Sequence, residues 1–256
     1  MSLPKIELPI FTATIPSTKQ KVKLRPMLVK EEKILLMAKE SQESNSIMLA
    51  VKQIVNNCLV NGDIDVNKLA MFDIDYLFVK IRANSVDSKI KLSYTDDEDE
   101  PLKDRHGEVR KDDDGNPVYP VYNIEVDLNE IEVKFPENQN NIISMGKDSG
   151  LKLKYPDASV YESEKVEKAT TAEEIVEELI LNSFDSYFEG SKVYNFKDST
   201  REEVSEFVDN LSLGVYDKVL SFFNDLPTVH HEVKFSNSKG KERVIVLNKL
   251  TDFFII

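Results

Sequence analysis

A chain of 256 residues with 41% hydrophobic content is long enough to bury one large core or two small ones. Its formal net charge of −13 excludes nucleic acid as a partner, because phosphate contacts need clustered Lys and Arg. A single cysteine, Cys58, excludes an internal disulfide and a thiolate metal site, and no run is long and apolar enough to span a bilayer.

In chain order, Ile6 to Ile15 and Lys19 to Leu24 read as two strands joined by the turn-forming Pro16-Ser17-Thr18. The opening MSLPKIELPIF lacks the basic region and long apolar core of a signal peptide, so a soluble, cytosolic product in a reduced compartment is expected. Val22 and Leu24 alternate with Lys21, Lys23 and Arg25 as a half-buried strand does, and Pro26 ends that strand by removing a ladder donor. Glu31 and Glu32 then fall in the first turn of a helix, beside the positive end of its dipole. Ile34, Leu35 and Ala38 give it an apolar stripe, and it ends near Ser41. A second helix over Ile47 to Val60 presents Val51, Ile54, Val55, Cys58 and Leu59 on one face and stops at Asn61-Gly62. Cys58 reads as a small buried hydrophobe. A third helix is expected to start with Asp73 as N-cap, with Phe72 and Leu77 as a hydrophobic staple. Residues 1–84 thus form an N-terminal hairpin and three-helix lobe.

From residue 85 the hydrophobic period changes to two. Ile90, Leu92 and Tyr94 mark one strand, Val121, Ile124, Val126 and Leu128 a second, and Ile131, Val133 and Phe135 a third, together a small antiparallel sheet within residues 85–156. Between the first two lies Asp96 to Pro117, with ten acidic residues, four basic ones and almost nothing apolar, which reads as a long exposed loop. Residues 157–256 return to helix. Thr171 with Glu174, and Thr200 with Glu203, have capping-box spacing and place two helix starts. Ile175, Val176, Leu179 and Ile180 line the first of these helices. Val204, Phe207, Val208 and Leu211 line the next, and Val215, Val219 and Phe222 a last one that Pro227 stops. Val229 to Phe235 and Val244 to Leu247 close the chain as a hairpin around Ser238-Lys239-Gly240, followed by an apolar tail. The fold class is therefore α+β, without internal repeats at solenoid periods.

Candidate chemistry is sparse. His230-His231-Glu232 lacks the HExxH spacing of a zincin, since Phe235 stands where the second imidazole is needed, and on a strand the two histidines point to opposite faces. The run Asp112-Asp113-Asp114-Gly115-Asn116 resembles the start of a calcium loop but holds Pro117 and Asn123 at the sixth and twelfth positions. Loose binding of a hard cation by Asp96 to Asp99 or Asp112 to Asp114 is the alternative to a solvated turn. No GxSxG or glycine-rich phosphate cradle appears, and His106 has no serine or cysteine tied to it by a motif, so neither catalysis nor a cofactor is expected. For binding, the terminal Phe253-Phe254-Ile255-Ile256 has two readings: a tail tucked into the protein's own core, or one docking on a partner.

KLRPMLVKEEKILLMA (Lys23 to Ala38), MFDIDYLFVKIRANSV (Met71 to Val86), VDLNEIEVKF (Val126 to Phe135), LKLKYP (Leu151 to Pro156) and IVLNKLTDFF (Ile245 to Phe254) occur in this order. Together they resemble the baseplate hub subunit family of T-even-like contractile-tailed bacteriophages. The resemblance implies a non-enzymatic protein of tail baseplate hub assembly, with other hub and tail proteins, and the tape-measure protein, as partners. It implies assembly in the host cytoplasm and, if the protein is retained, a place in the virion baseplate. It carries over no catalytic residues, and the acidic segment Asp96 to Pro117 departs from the family pattern. Two alternatives stand beside a hub subunit: an assembly chaperone absent from the virion, and a cation-dependent binding module using the acidic loop.

Overall fold

The computed structural model describes residues 7–41, 46–60, 62, 64–137 and 140–253. Among these are seven α-helices and eleven strands in small antiparallel sheets, an α+β fold. The opening hairpin is β1 (Phe11–Thr14) and β2 (Lys21–Leu24), in register from Phe11↔Leu24 to Thr14↔Lys21. Its apolar face, Ala13, Ile15, Val22 and Leu24, packs on the helices α1 (Val29–Glu40), α2 (Ser46–Cys58) and α3 (Met71–Ala83) to form the first core.

At the strand-to-helix corner, Glu31 is completely enclosed. It accepts from Arg25 at 3.0 Å and from the Leu28 amide at 2.8 Å, while Arg25 also donates to the Asn57 carbonyl at the end of α2. Burial alone would raise the Glu31 carboxyl pKa, but the Arg25 guanidinium and the Leu28 amide hold it below its ordinary value. Cys58 is fully buried beside this ion pair, and burial pushes its thiol up to about 11.

Asp73 is not the N-cap of α3. That place falls to Ala70, and Asp73 sits at the third helical position, where its carboxylate reaches back to the Ala70 amide at 3.3 Å. The helix starts earlier because the same carboxylate also takes the Ser17 amide and hydroxyl, at 2.9 and 2.6 Å, tying the hairpin turn to the helix start. An N-cap could not serve both elements from one position.

The second core joins parts distant in sequence. β3 (Lys89–Thr95) pairs with β4 (Val121–Asp127), but β5 (Glu132–Lys134) leaves them, contrary to the single three-stranded sheet expected. The connection turns tightly, with Glu130 N donating to Asp127 O at 3.0 Å, and α3 fixes it: the Lys80 ammonium donates to the carbonyls of Leu128, Asn129 and Ile131 at 3.2, 2.7 and 2.9 Å, and those carbonyls are thereby taken by α3. β5 pairs with β10 (Thr228–Ser236), whose other neighbour is β11 (Glu242–Leu247). Ile90, Val126, Leu128, Ile131, Val229, Leu247 and Phe253 fill the space between.

A four-stranded sheet ordered β6 (Ile142–Ser144), β7 (Ser149–Leu153), β8 (Phe184–Glu189), β9 (Lys192–Asn195) supports the third core. It carries α5 (Ala172–Asn182), α6 (Arg201–Asp209) and α7 (Leu213–Asn224), with the short α4 (Glu164–Lys168) before them. Both expected capping boxes are present: Thr171 Oγ1 accepts the Glu174 amide at 3.3 Å, and Thr200 Oγ1 the Glu203 amide at 3.2 Å, with each glutamate returning the bond. Gly150 of β7 faces the Phe188 ring so closely that an added Cβ would lie 2.6 Å from it and 2.8 Å from the Ile143 carbonyl. Only glycine fits there.

Candidate interaction surface

Asp96 and Asp99 lie at the base of the acidic segment and are buried, at 0% and 4% exposure, against the turn of the closing hairpin. Asp96 pairs with Arg243 at 2.9 Å and accepts from Asn237 Nδ2 at 3.1 Å. Asp99 accepts from the Ser238 amide at 3.1 Å and from the Ser238 and Tyr122 hydroxyls. Glu98 completes the clasp with Lys241 at 2.9 Å and Arg243 at 2.8 Å. Burial would raise the Asp99 carboxyl, yet the donors of Ser238 and Tyr122 outweigh it and hold the group well below the carboxylate range. These three carboxylates are thus engaged by donors from residues 237–243 and Tyr122. Among the described residues no group of three or more His, Cys, Asp and Glu side chains is placed to hold a metal ion.

Beyond the clasp the segment is ordered by a repeat that the sequence analysis missed. Leu102-Lys-Asp-Arg-His-Gly-Glu-Val and Arg110-Lys-Asp-Asp-Asp-Gly-Asn-Pro share Lys, Asp and Gly at matching places. Asp104 Oδ1 accepts the amides of His106 and Glu108 at 2.8 and 3.0 Å; Asp112 Oδ1 accepts those of Asp114 and Asn116 at 3.0 and 2.8 Å. Gly107 and Gly115 close the two turns at φ 83° and 86°. Leu102, Arg110 and Val118, eight residues apart, close a ring of three backbone hydrogen bonds of 2.7 to 2.9 Å. Residues 103–117 are exposed and built of two matching turns, on a pinned base that holds the buried Asp96 and Asp99.

The hairpins at the two ends keep strand edges unpaired among the described residues. The outer edge of β2 is taken by the segment after α2, through Arg25 N to Cys58 O and Val60 N to Lys23 O, both 2.9 Å. β5 pairs with β10 only over Thr228 to His230. That leaves β1, β11 and residues 231–236 of β10 without a ladder partner on their outer side. On β11, Val244 and Val246 are 49% and 46% exposed on the face opposite Ile245 and Leu247. Which strand of the closing hairpin stays open cannot be read from its own residues, because it depends on β5, far earlier in the chain.

Of the terminal residues singled out for docking, Phe253 is 1% exposed and packs in the second core; Phe254, Ile255 and Ile256 lie outside the described residues. His230 Nε2 lies 2.9 Å from Glu232 Oε1 on one face of β10, with His231 on the alternate face. No helix among the described residues is long and apolar enough to cross a membrane.

No curated protein and no solved structure matches the chain. A family model described as T4 bacteriophage base plate protein matches it over residues 8–255, nearly its whole length and all three cores. The chain belongs to that family, and its role is a structural or assembly one in the baseplate of a bacteriophage tail.

Proposed function

We propose that the protein is a non-enzymatic subunit or assembly factor of the baseplate hub, working through contacts with other hub and tail proteins, the tape-measure protein among them. The observation that carries this reading is the free β11 edge. A strand held on one side by β10, with Val244 and Val246 on its exposed face, can be extended on the other by a strand of a neighbouring subunit. The clasp of Asp96, Glu98 and Asp99 fixes the turn from which that strand emerges, so the edge is presented in one geometry.

The protein would act in the host cytoplasm while tails assemble, and in the virion baseplate if it is retained. Co-expression with hub and tape-measure proteins followed by pull-down tests the reading: the wild-type chain retains at least one of them, and Val244→Lys with Val246→Lys loses it. Failure of the wild-type chain to retain any would overturn it. Mass spectrometry of purified particles separates a resident subunit from an assembly chaperone. The cation-dependent reading is the weaker one, because Asp96, Glu98 and Asp99 already serve Arg243, Lys241 and Ser238.

A further inference from the structure

A groove of about 700 Å³ runs between α5, α6 and α7, away from the β11 edge. Its floor is apolar, formed by Ile180, Val208, Leu211 and Leu220, and its lips carry Val176 and Leu213. Leu213 is 82% exposed and Val176 43%, large side chains that a closed helical lobe would turn inward. The charged residues lining it are Glu173, Glu177 and Asp209, all acidic. The neighbouring guanidinium, Arg201, is committed to Glu178 and stands 4.0 Å from Glu177.

We infer that this groove is a docking site for a cationic amphipathic helix of a partner protein, with an apolar stripe at i, i+3, i+4 and i+7 between flanking Lys and Arg. Three helices enclosing an apolar trough take a fourth by packing its ridge into their groove. The acidic lips select the charge of the incoming helix, because a like-charged helix would be repelled by Glu173 and Asp209, with Glu177 only partly offset by Arg201 at 4.0 Å. A second copy of this chain is disfavoured for the same reason, since it carries a net charge of −13. The inference is independent of the hub reading, as it rests on the groove alone.

The test uses the full chain and a synthetic 18-residue peptide of leucine and lysine with leucine at the stripe positions, titrated by fluorescence anisotropy. Expected is saturable binding that weakens with salt. It should drop at least tenfold in Leu213→Asp, whose side chain is exposed enough to leave the fold intact, and several-fold in Glu173→Lys with Glu177→Lys. Val193→Asp, on the exposed strand β9, should leave it unchanged. A scrambled peptide of the same composition, or one with glutamate for lysine, should not bind. Four results would overturn the inference: equal binding of the scrambled peptide, indifference to Leu213→Asp, sedimentation showing dimers that Leu213→Asp dissociates, or tighter peptide binding after removal of residues 254–256.

Discussion

Asp99 is buried and Asp75 half-buried, and their surroundings push them in opposite directions. Asp99 accepts from Ser238 and Tyr122, so its carboxyl titrates below the ordinary value of 3.8. A group depressed in the folded state contributes stability that is present above its unfolded pKa and is lost as pH falls through the folded one. Asp99→Asn should therefore lower the thermal midpoint at pH 7 and lose less than wild type between pH 4 and pH 2; parallel curves would contradict the clasp. Asp75 of α3 has no hydrogen bond or ion pair among the described residues, and burial raises it to about 7. Its folded form keeps a proton that the unfolded chain releases near 3.8, so wild-type stability falls as pH rises from about 4 to about 7. The midpoint of Asp75→Asn should gain on wild type from pH 5 to pH 8, and a constant difference would contradict this.

Among the elements, the β6–β9 sheet depends on one missing side chain. Gly150→Ala places a methyl against the backbone carbonyl of Ile143, which cannot swing aside as the Phe188 ring can, and should cost about 1–3 kcal/mol in denaturant unfolding. A smaller loss would mean that β6 shifts freely. Thr200→Ala, which removes one half of a capping box, should cost about 1 kcal/mol by the same measurement. Legibility followed range. The capping boxes and the 3.6-residue stripes of α5, α6 and α7 are local, and the sequence pattern placed them within a few residues. Strands β8 and β9 escaped because only Ser183 separates α5 from Phe184 and the residues of β9 are all exposed, which leaves no alternation to read. The turn between β4 and β5 is held by Lys80, some 50 residues earlier, the partner of β5 is the distant β10, and the clasp joins residues about 140 apart. Neither can be found by periodicity.

Over the whole molecule, sequence order and spatial order part company at the C-terminus. The closing hairpin follows the third core in sequence yet completes the second, bonded to β5 and pinned by the acidic segment. Five of the acidic residues of that segment have defined roles: Asp96, Glu98 and Asp99 hold the hairpin turn, and Asp104 and Asp112 each organise a tight turn of the exposed repeat. Removing all of 96–117 would dismantle the hairpin, whereas replacing 103–117 with a short Gly-Ser linker should leave the β11 edge intact. Complementation of a phage lacking this chain by the Val244→Lys, Val246→Lys variant supplied in trans reads out the role of the β11 edge in the assembled tail. If the β11 edge joins the protein to the hub, the variant accumulates folded but yields few or no infectious particles. Full complementation by the variant would contradict that account.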